Sequence, residues 1–276
     1  MKSMRLIAVA LVALAAGCAS PPRPAATPEP MPAAMVGVMP AEYEGAVRRY
    51  VVAGLTKVDP AFYRGWAGAC PGADVDATRV VQYAASLGID GTLLRDLDAT
   101  KAAFLGAIWR EGGDLEPNDL LVVFYSGHGG QVKDFDGDEA TGLDSTFCLA
   151  DGAMTDDDFA AMLEHLQCRV LVIADACNSG TIARAPVTFD GVRIPTNFDG
   201  QLILISGCND GEYSYGSTSG GVLTTALFSP PPGDIANLAW FEVAARKMAR
   251  SQDKQVPRWS EYNGVGQAFR MAPVFK

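Results

Sequence analysis

The sequence predicts an α/β fold, a mainly parallel β-sheet covered by helices on both faces. From about Arg48 onward, short apolar runs alternate with stretches of helical periodicity, the pattern of strand–helix–strand units whose strands run parallel. Two of the runs, Leu120–Tyr125 and Val170–Ala174, are apolar without interruption, as expected of strands buried on both faces. The chain is 49% hydrophobic and 20% charged over 276 residues, enough apolar material for a substantial core.

The chain opens on Lys2 and Arg5, then an apolar run from Leu6 to Ala16, then small residues leading to Cys18 in L-A-A-G-C. An apolar run this short does not span a bilayer as a permanent helix, so residues 1–18 read as an export signal. The segment resembles a bacterial lipoprotein signal with Cys18 as the lipidated residue, although Leu14 lies one position upstream of the usual lipobox place. Ordinary secretory cleavage near A-L-A-A is the alternative. Stable anchoring would need more than one lipid chain. The expected location is the cell envelope, at the periplasmic side or outer membrane. Residues 19–44 read as a Pro/Ala-rich linker, with seven prolines between 19 and 40, semi-extended and poor in packing residues. The folded domain is expected over 45–276.

Within that domain Tyr50–Leu55 is the first strand. Residues 74–87 form a helix, with Ala77, Val80, Val81, Ala84 and Leu87 at helical spacing and Gly88 closing it. Thr92–Leu97 is a strand, and Thr100 caps a helix carrying Phe104, Leu105, Ile108 and Trp109. After Leu120–Tyr125 comes a helix over about 156–166 with Phe159, Met162, Leu163 and Leu166 on one side. Val170–Ala174 and Leu202–Ile205 are buried strands, and a last helix covers about 236–250. Crossovers should be right-handed, and function should collect at the C-terminal ends of the strands. That rule selects two stretches: S-G-H-G after Leu120–Tyr125, and D-A-C-N-S-G after Val170–Ala174.

A net charge of −10 argues against a nucleic-acid partner. The two histidines, and six cysteines without a C-x-x-C pair, do not make a zinc constellation. If Cys18 is lipidated, an odd number of thiols remains, so at least one is free. Cys70, Cys148, Cys168 and Cys208 read as core residues, with a disulfide among them left open. His165, in M-L-E-H-L-Q, reads as a helix residue off the sheet edge. His128 and Cys177 fall at the ends of successive buried strands. A thiol beside an imidazole can become the thiolate that attacks a carbonyl. The N–H groups of Gly129 and Cys177 are candidates for an oxyanion hole.

Y-S-G-H-G and D-A-C-N-S-G, 49 residues apart at His128 and Cys177, resemble the two signature motifs of the caspase-like cysteine peptidases, and of the metacaspase branch in particular. G-A-D-V-D-A at 72–77, the segment following His128 and G-G-V-L-T-T-A-L at 220–227 are similar to further metacaspase motifs. The likeness spans roughly 45–260. It implies a caspase-like three-layer α/β/α sandwich with a six-stranded, mostly parallel sheet. It also implies a cysteine endopeptidase acting through Cys177 and His128 by way of a thioester acyl-enzyme. No acidic third member is evident, so a backbone carbonyl is expected to orient His128.

In metacaspases the carboxylates matching Asp76 and Asp175 pair with a basic residue before the scissile bond. A carboxylate pair suits a guanidinium, so the expected substrates are proteins or peptides cleaved after Arg, and less well after Lys. Asp76 could equally serve the helix dipole, and Asp175 a local hydrogen bond. No cofactor is needed for the chemistry. The resemblance raises calcium as an activator at Asp144, Asp156 and Asp157, although the further acidic position after the catalytic cysteine is occupied here by about Arg184. The loop at 134–139 is not an EF-hand, since its glycine stands at position four. An acid-rich helix start explains T-D-D-D without a metal. Arg184 and Arg193, in the loop where caspases are cut, are candidate self-cleavage sites. The alternative function is a catalytically silent caspase-like binding module on the envelope.

Overall fold

The computed structural model describes residues 39–137, 141–179, 182, 198–208, 211–228, 255, 258–262 and 265–272. The export signal with Cys18, the linker up to residue 38, Arg184, Arg193 and the helix expected at 236–250 lie outside the described residues.

The strands are β1 (Arg48–Gly54), β2 (Asp90–Arg95), β3 (Leu120–Ser126), β4 (Gly129–Lys133), β5 (Leu143–Leu149), β6 (Gly152–Thr155), β7 (Arg169–Asp175), β8 (Leu202–Ser206), β9 (Gly216–Ser217), β10 (Gly220–Gly221) and β11 (Arg258–Tyr262). The helices are α1 (Ala73–Ser86), α2 (Lys101–Gly112), α3 (Asp156–Leu163), α4 (Val222–Phe228) and α5 (Gln267–Met271). Among the described residues six strands make the central sheet, in the order β11-β8-β7-β3-β1-β2. Every pairing is parallel except that of β11 with β8 at one edge.

Each face of the sheet is covered. On one side Phe104 and Ile108 of α2 and Phe159 and Leu163 of α3 pack on Val51, Leu121, Val123 and Val172. On the other, Ala77 and Val80 of α1, Leu223 and Leu227 of α4 and Phe269 of α5 pack on Val52, Phe124, Leu171 and Ile205. β3 and β7 are buried along their whole length, as their unbroken apolar runs imply. The architecture is the expected three-layer α/β/α sandwich.

Within the described residues, the expected strands and helices fall within a few residues of their places. Gly88 takes φ 71° after α1, the left-handed geometry that glycine tolerates beyond a helix end. Thr100 accepts from the Ala103 amide as the N-cap of α2. β2 stops at Arg95 and not at Leu97, because Asp96 turns the chain at φ 45° and its carboxylate accepts from the Thr56 amide and hydroxyl. The short hairpins were not anticipated: the antiparallel sheet β4-β5-β6 and the ribbon β9-β10.

The fold also begins before residue 45. Tyr43, in a 3-10 turn at Ala41–Tyr43, is buried. Its ring lies 3.5 Å from the Arg169 guanidinium carbon, with Phe269 at 5.0 Å. Arg169 donates through Nε and Nη2 to the Asn118 carbonyl, and burial pulls its pKa down to about 10. This stack pins the N-terminal segment at the end of the sheet opposite the site.

Candidate functional site

β3 and β7 are the two middle strands, and Ser126 pairs with Asp175 at their C-terminal ends. Carrying that register onward sets His128 opposite Cys177. The two segments press together: a Cβ on Gly129 would lie 1.8 Å from the Cys177 carbonyl oxygen and 3.3 Å from the Ala176 Cβ, so only a glycine lets the backbones approach this closely. The backbone of His128 is held as well. Its carbonyl accepts from the Cys148 amide at 2.9 Å and from the Tyr125 hydroxyl at 2.8 Å.

The His128 ring is half-buried, with Nε2 3.1 Å from the carbonyl of Ala69. A carbonyl only accepts, so this contact is a hydrogen bond when Nε2 carries the proton, which leaves Nδ1 as the basic nitrogen. Trp66 lies against the ring at 4.8 Å between centroids. Burial lowers the imidazole pKa, and the Ala69 carbonyl opposes that shift. Cys177 is half-buried, and its Sγ accepts from the Ser214 amide at 3.3 Å. Burial raises the thiol pKa, the Ser214 amide works against the rise, and the charge of Asp175 adds to it. The thiol itself donates to the Ser214 carbonyl at 3.7 Å, and both shifts favour a neutral thiol and a neutral imidazole over an ion pair.

Asp76, in the first turn of α1, and Asp175, the last residue of β7, stand next to this pair and are almost wholly buried. Asp76 Oδ2 accepts from the Gly221 amide at 2.8 Å and the Ser126 hydroxyl at 2.9 Å. Its Oδ1 lies 3.4 Å from Arg79 Nη1. Asp175 Oδ1 accepts from the Ser214 hydroxyl at 2.7 Å, and Oδ2 from the Thr224 amide and hydroxyl, both at 2.8 Å. Burial outweighs these donors. It pushes Asp76 up to about 6, with the charge of Asp175 adding to the shift, and it raises Asp175 as well. Asp76 thus lies both at a helix start and within reach of the Asp175 charge.

A second group of acids lies on β5 and α3. Asp144 and Asp156 are buried, and the Asp156 carboxylate makes no well-formed hydrogen bond among the described residues, only weaker approaches of the Asp156 and Ser145 amides. Burial, with the charges of Asp144 and Asp157, raises Asp156 to about 7. Burial and four neighbouring aspartates raise Asp157 to about 6. An all-oxygen, acidic set around a buried, weakly hydrogen-bonded carboxylate fits the chemistry of calcium. As they stand, though, no three acids among the described residues converge to hold an ion. The acid-rich helix start has its own explanation, because Thr155 and Asp158 form a capping box. Asp134 accepts from the amides of Asp136 and Gly137 and so closes its loop. Cys70, Cys148, Cys168, Cys177 and Cys208 are all free thiols. His165 is exposed beyond α3, edge-on to Trp109 at 6.1 Å.

The caspase-domain sequence profile matches residues 58–263. The chain belongs to the caspase-domain peptidase family. Among curated relatives, metacaspase-1 of Kluyveromyces lactis is 42% identical over 97 residues, 33% of this chain and 22% of its own length. Metacaspase-1 of Botryotinia fuckeliana is 37% identical over 129 residues, 42% of this chain and 31% of its own length. The chain thus spans a fifth to a third of these relatives. A crystallised protein from Geobacter sulfurreducens matches with a TM-score of 0.69 at 28% identity, over 83% of this chain and 98% of its own.

This caspase domain uses residues that no sequence motif marks. Ser214 braces both Cys177 and Asp175 from 37 residues beyond the cysteine. Ala69 and Trp66 reach His128 from the loop between β1 and α1. Ser126, by contrast, is the first residue of S-G-H-G and the last of a wholly buried strand, so its position signalled an inward hydroxyl. The glycines flanking Trp66 signalled only a turn.

Proposed function

We propose that this protein is a cysteine endopeptidase that cleaves after arginine, and less well after lysine, through Cys177 and His128. The observation that supports the reading is the close packing of Gly129 against the Cys177 carbonyl, where the ends of β3 and β7 meet at the middle of the sheet edge. The reaction starts from the neutral pair. Cys177 Sγ attacks the scissile carbonyl carbon while His128 Nδ1 takes the thiol proton. The oxyanion is held by the amides of Gly129 and Cys177. The tetrahedral intermediate collapses to a thioester, and the imidazolium protonates the departing amine. Water, deprotonated by His128, then cleaves the thioester, and the proton returns to the thiolate of Cys177.

Asp76 and Asp175 supply the substrate preference, since a buried acid pair that meets only Arg79 among the described residues is stabilised by a further guanidinium. Calcium would be held by Asp144, Asp156 and Asp157, where it would neutralise acids that burial otherwise keeps partly protonated. Arg184 and Arg193 fit the same preference and are the proposed self-cleavage sites. Lipidation at Cys18 would tether the domain to the envelope; loss of detergent-phase partitioning in Cys18→Ser tests that part.

The deciding assay uses fluorogenic peptides with Arg, Lys or Asp before the reporter, with calcium or chelator, and Cys177→Ala as control. Expected are Arg above Lys, nothing after Asp, nothing in the variant, and a lower rate with chelator. A preference for Asp would overturn the role of the acid pair. Activity surviving in Cys177→Ala would overturn the dyad, and inactivity on every peptide would favour a binding module.

A further inference from the structure

The Cys177–His128 pair has no acidic third member among the described residues, and the loop between β1 and α1 occupies the place where one would act. We propose that Trp66 is the positioning residue for His128. On this reading, which rests on the dyad above, its indole pins the imidazole against the Ala69 carbonyl, so that Nε2 carries the proton and Nδ1 stays the base.

The geometry is that of a buttress. Trp66 and His128 lie 4.8 Å apart between centroids at 58°, and Ala69, three residues on, supplies the carbonyl at 3.1 Å from Nε2. One short segment therefore touches the imidazole both on its ring and at its nitrogen. The segment is itself anchored. Tyr63 meets Trp66 edge-on at 5.7 Å, and its hydroxyl donates to the Leu149 carbonyl on β5 at 2.7 Å. The Trp66 amide donates to the Tyr63 carbonyl, and the Val58 amide to the Ala67 carbonyl. Gly68 takes φ 58° where a Cβ would meet Val58 at 2.8 Å and Trp66 at 3.4 Å, so the loop closes tightly behind the indole.

In hydrolases with a full triad the acid does two things: it fixes the tautomer and orientation of the imidazole, and it stabilises the imidazolium. Here Ala69 and Trp66 share the first task. Trp66 also keeps water off the ring, consistent with burial as the main cause of its lowered pKa.

The test uses full-length untagged protein labelled with 13C-histidine. With two histidines in the chain, exposed His165 serves as the internal reference for the NMR titration of His128. The wild-type midpoint is expected below the ordinary ~6.5. In Trp66→Ala water reaches the ring, so the midpoint should return toward that value. In the peptide assay kcat should fall about a hundredfold, the scale of an ångström-sized misplacement, with KM within about twofold. Trp66→Phe should keep the low midpoint and most of kcat. An unchanged midpoint in Trp66→Ala, or equal losses of kcat in Trp66→Ala and Trp66→Phe, would overturn the positioning role, as would a kcat loss explained wholly by unfolding at the assay temperature. A wild type without peptidase activity would sink the proposed function, while the His128 titration would still decide the positioning.

Discussion

The contact between Gly129 and Cys177 gives the most exacting test of the dyad. In Gly129→Ala the added methyl would sit 1.8 Å from the Cys177 carbonyl oxygen and 2.9 Å from its carbon, roughly 1.6 Å short of ordinary contact. Both partners are backbone, so no rotamer change relieves the clash; β4 must move away from the end of β7. His128 is the preceding residue, and a shift on the order of 1 Å at a catalytic group costs about a hundredfold in rate. Withdrawal of the Gly129 amide from the oxyanion adds a loss on a scale of about 10²–10³ by itself. We expect kcat to drop at least a hundredfold. Overpacking of about 1–3 kcal/mol should lower Tm by several degrees in a chain of this size.

Gly130→Ala is the control. Its methyl would lie 3.4 Å from Thr146 Oγ1 and 4.0 Å from Cys148 Sγ, ordinary contacts that leave activity within about threefold. The assays are kcat on an arginyl fluorogenic peptide and thermal unfolding by circular dichroism. If Gly129→Ala works as well as Gly130→Ala, the close approach of the two strand ends has nothing to do with catalysis.

Further outcomes follow from the same geometry. Asp175→Asn removes the charge while leaving the Ser214 and Thr224 donors in place, and should raise KM for arginyl peptides about ten- to a hundredfold with a smaller change in kcat; an unchanged KM would remove Asp175 from the pocket. The acid limb of kcat/KM should lie below the ordinary imidazole value of about 6.5, because burial lowers the His128 pKa and activity is lost only as the pH falls far enough to protonate it; a limb above 7 contradicts this. The Asp156 carboxyl, raised to about 7 in the fold, binds its proton more tightly folded than unfolded. Its contribution to stability is therefore full below the unfolded value of about 3.9 and is lost as the pH rises through 7. Asp156→Asn should accordingly raise Tm at pH 8 without calcium and abolish any rise on adding calcium, whereas equal destabilisation at pH 5 and pH 8 would point to lost packing.

The parts of the fold legible in the sequence are those whose environment is uniform. β3 and β7 are buried on both faces, so their apolar runs needed no partner to be recognised, and the switch from run to S-G-H-G or D-A-C-N-S-G marked their ends. Asp175 followed because it closes the strand two residues before Cys177. β4 and β6 were hidden because they are short and open on glycine, at Gly129–Gly130 and Gly152, and β5 because L-D-S-T-F-C-L mixes polar and apolar residues without an unbroken run. β11, in R-W-S-E-Y, has a weak pattern because an edge strand needs less apolar surface. Ser214, Ala69 and Trp66 act across long sequence separations from segments with neither period. What brings them to the site is the packing of loops on the sheet edge, and that contact leaves no local trace.

The state of the acid pair decides how an arginine side chain could be bound. Each carboxylate already accepts protein donors, yet each oxygen can accept more than one, and among the described residues Asp76 Oδ1 has only Arg79 at 3.4 Å. Over both acids lies the β9–β10 ribbon: a Cβ on Gly220 would fall 2.3 Å from Asp76 Oδ1, and one on Gly221 would fall 2.1 Å from Asp175 Oδ2. The two glycines thus let backbone close onto the carboxylates, and the low polarity beneath that cover is what raises both pKa values. A guanidinium entering under the ribbon favours the ionised acids, so its binding must be linked to proton release. With Asp76 titrating at about 6, the affinity for agmatine, a bare arginine side-chain analogue, should strengthen as pH rises from 5 to 7 and then level off. Competition against an arginyl peptide, with Asp76→Asn as the comparison, measures it. A flat affinity across that range, or a slope that survives in Asp76→Asn, would mean that the guanidinium does not meet Asp76.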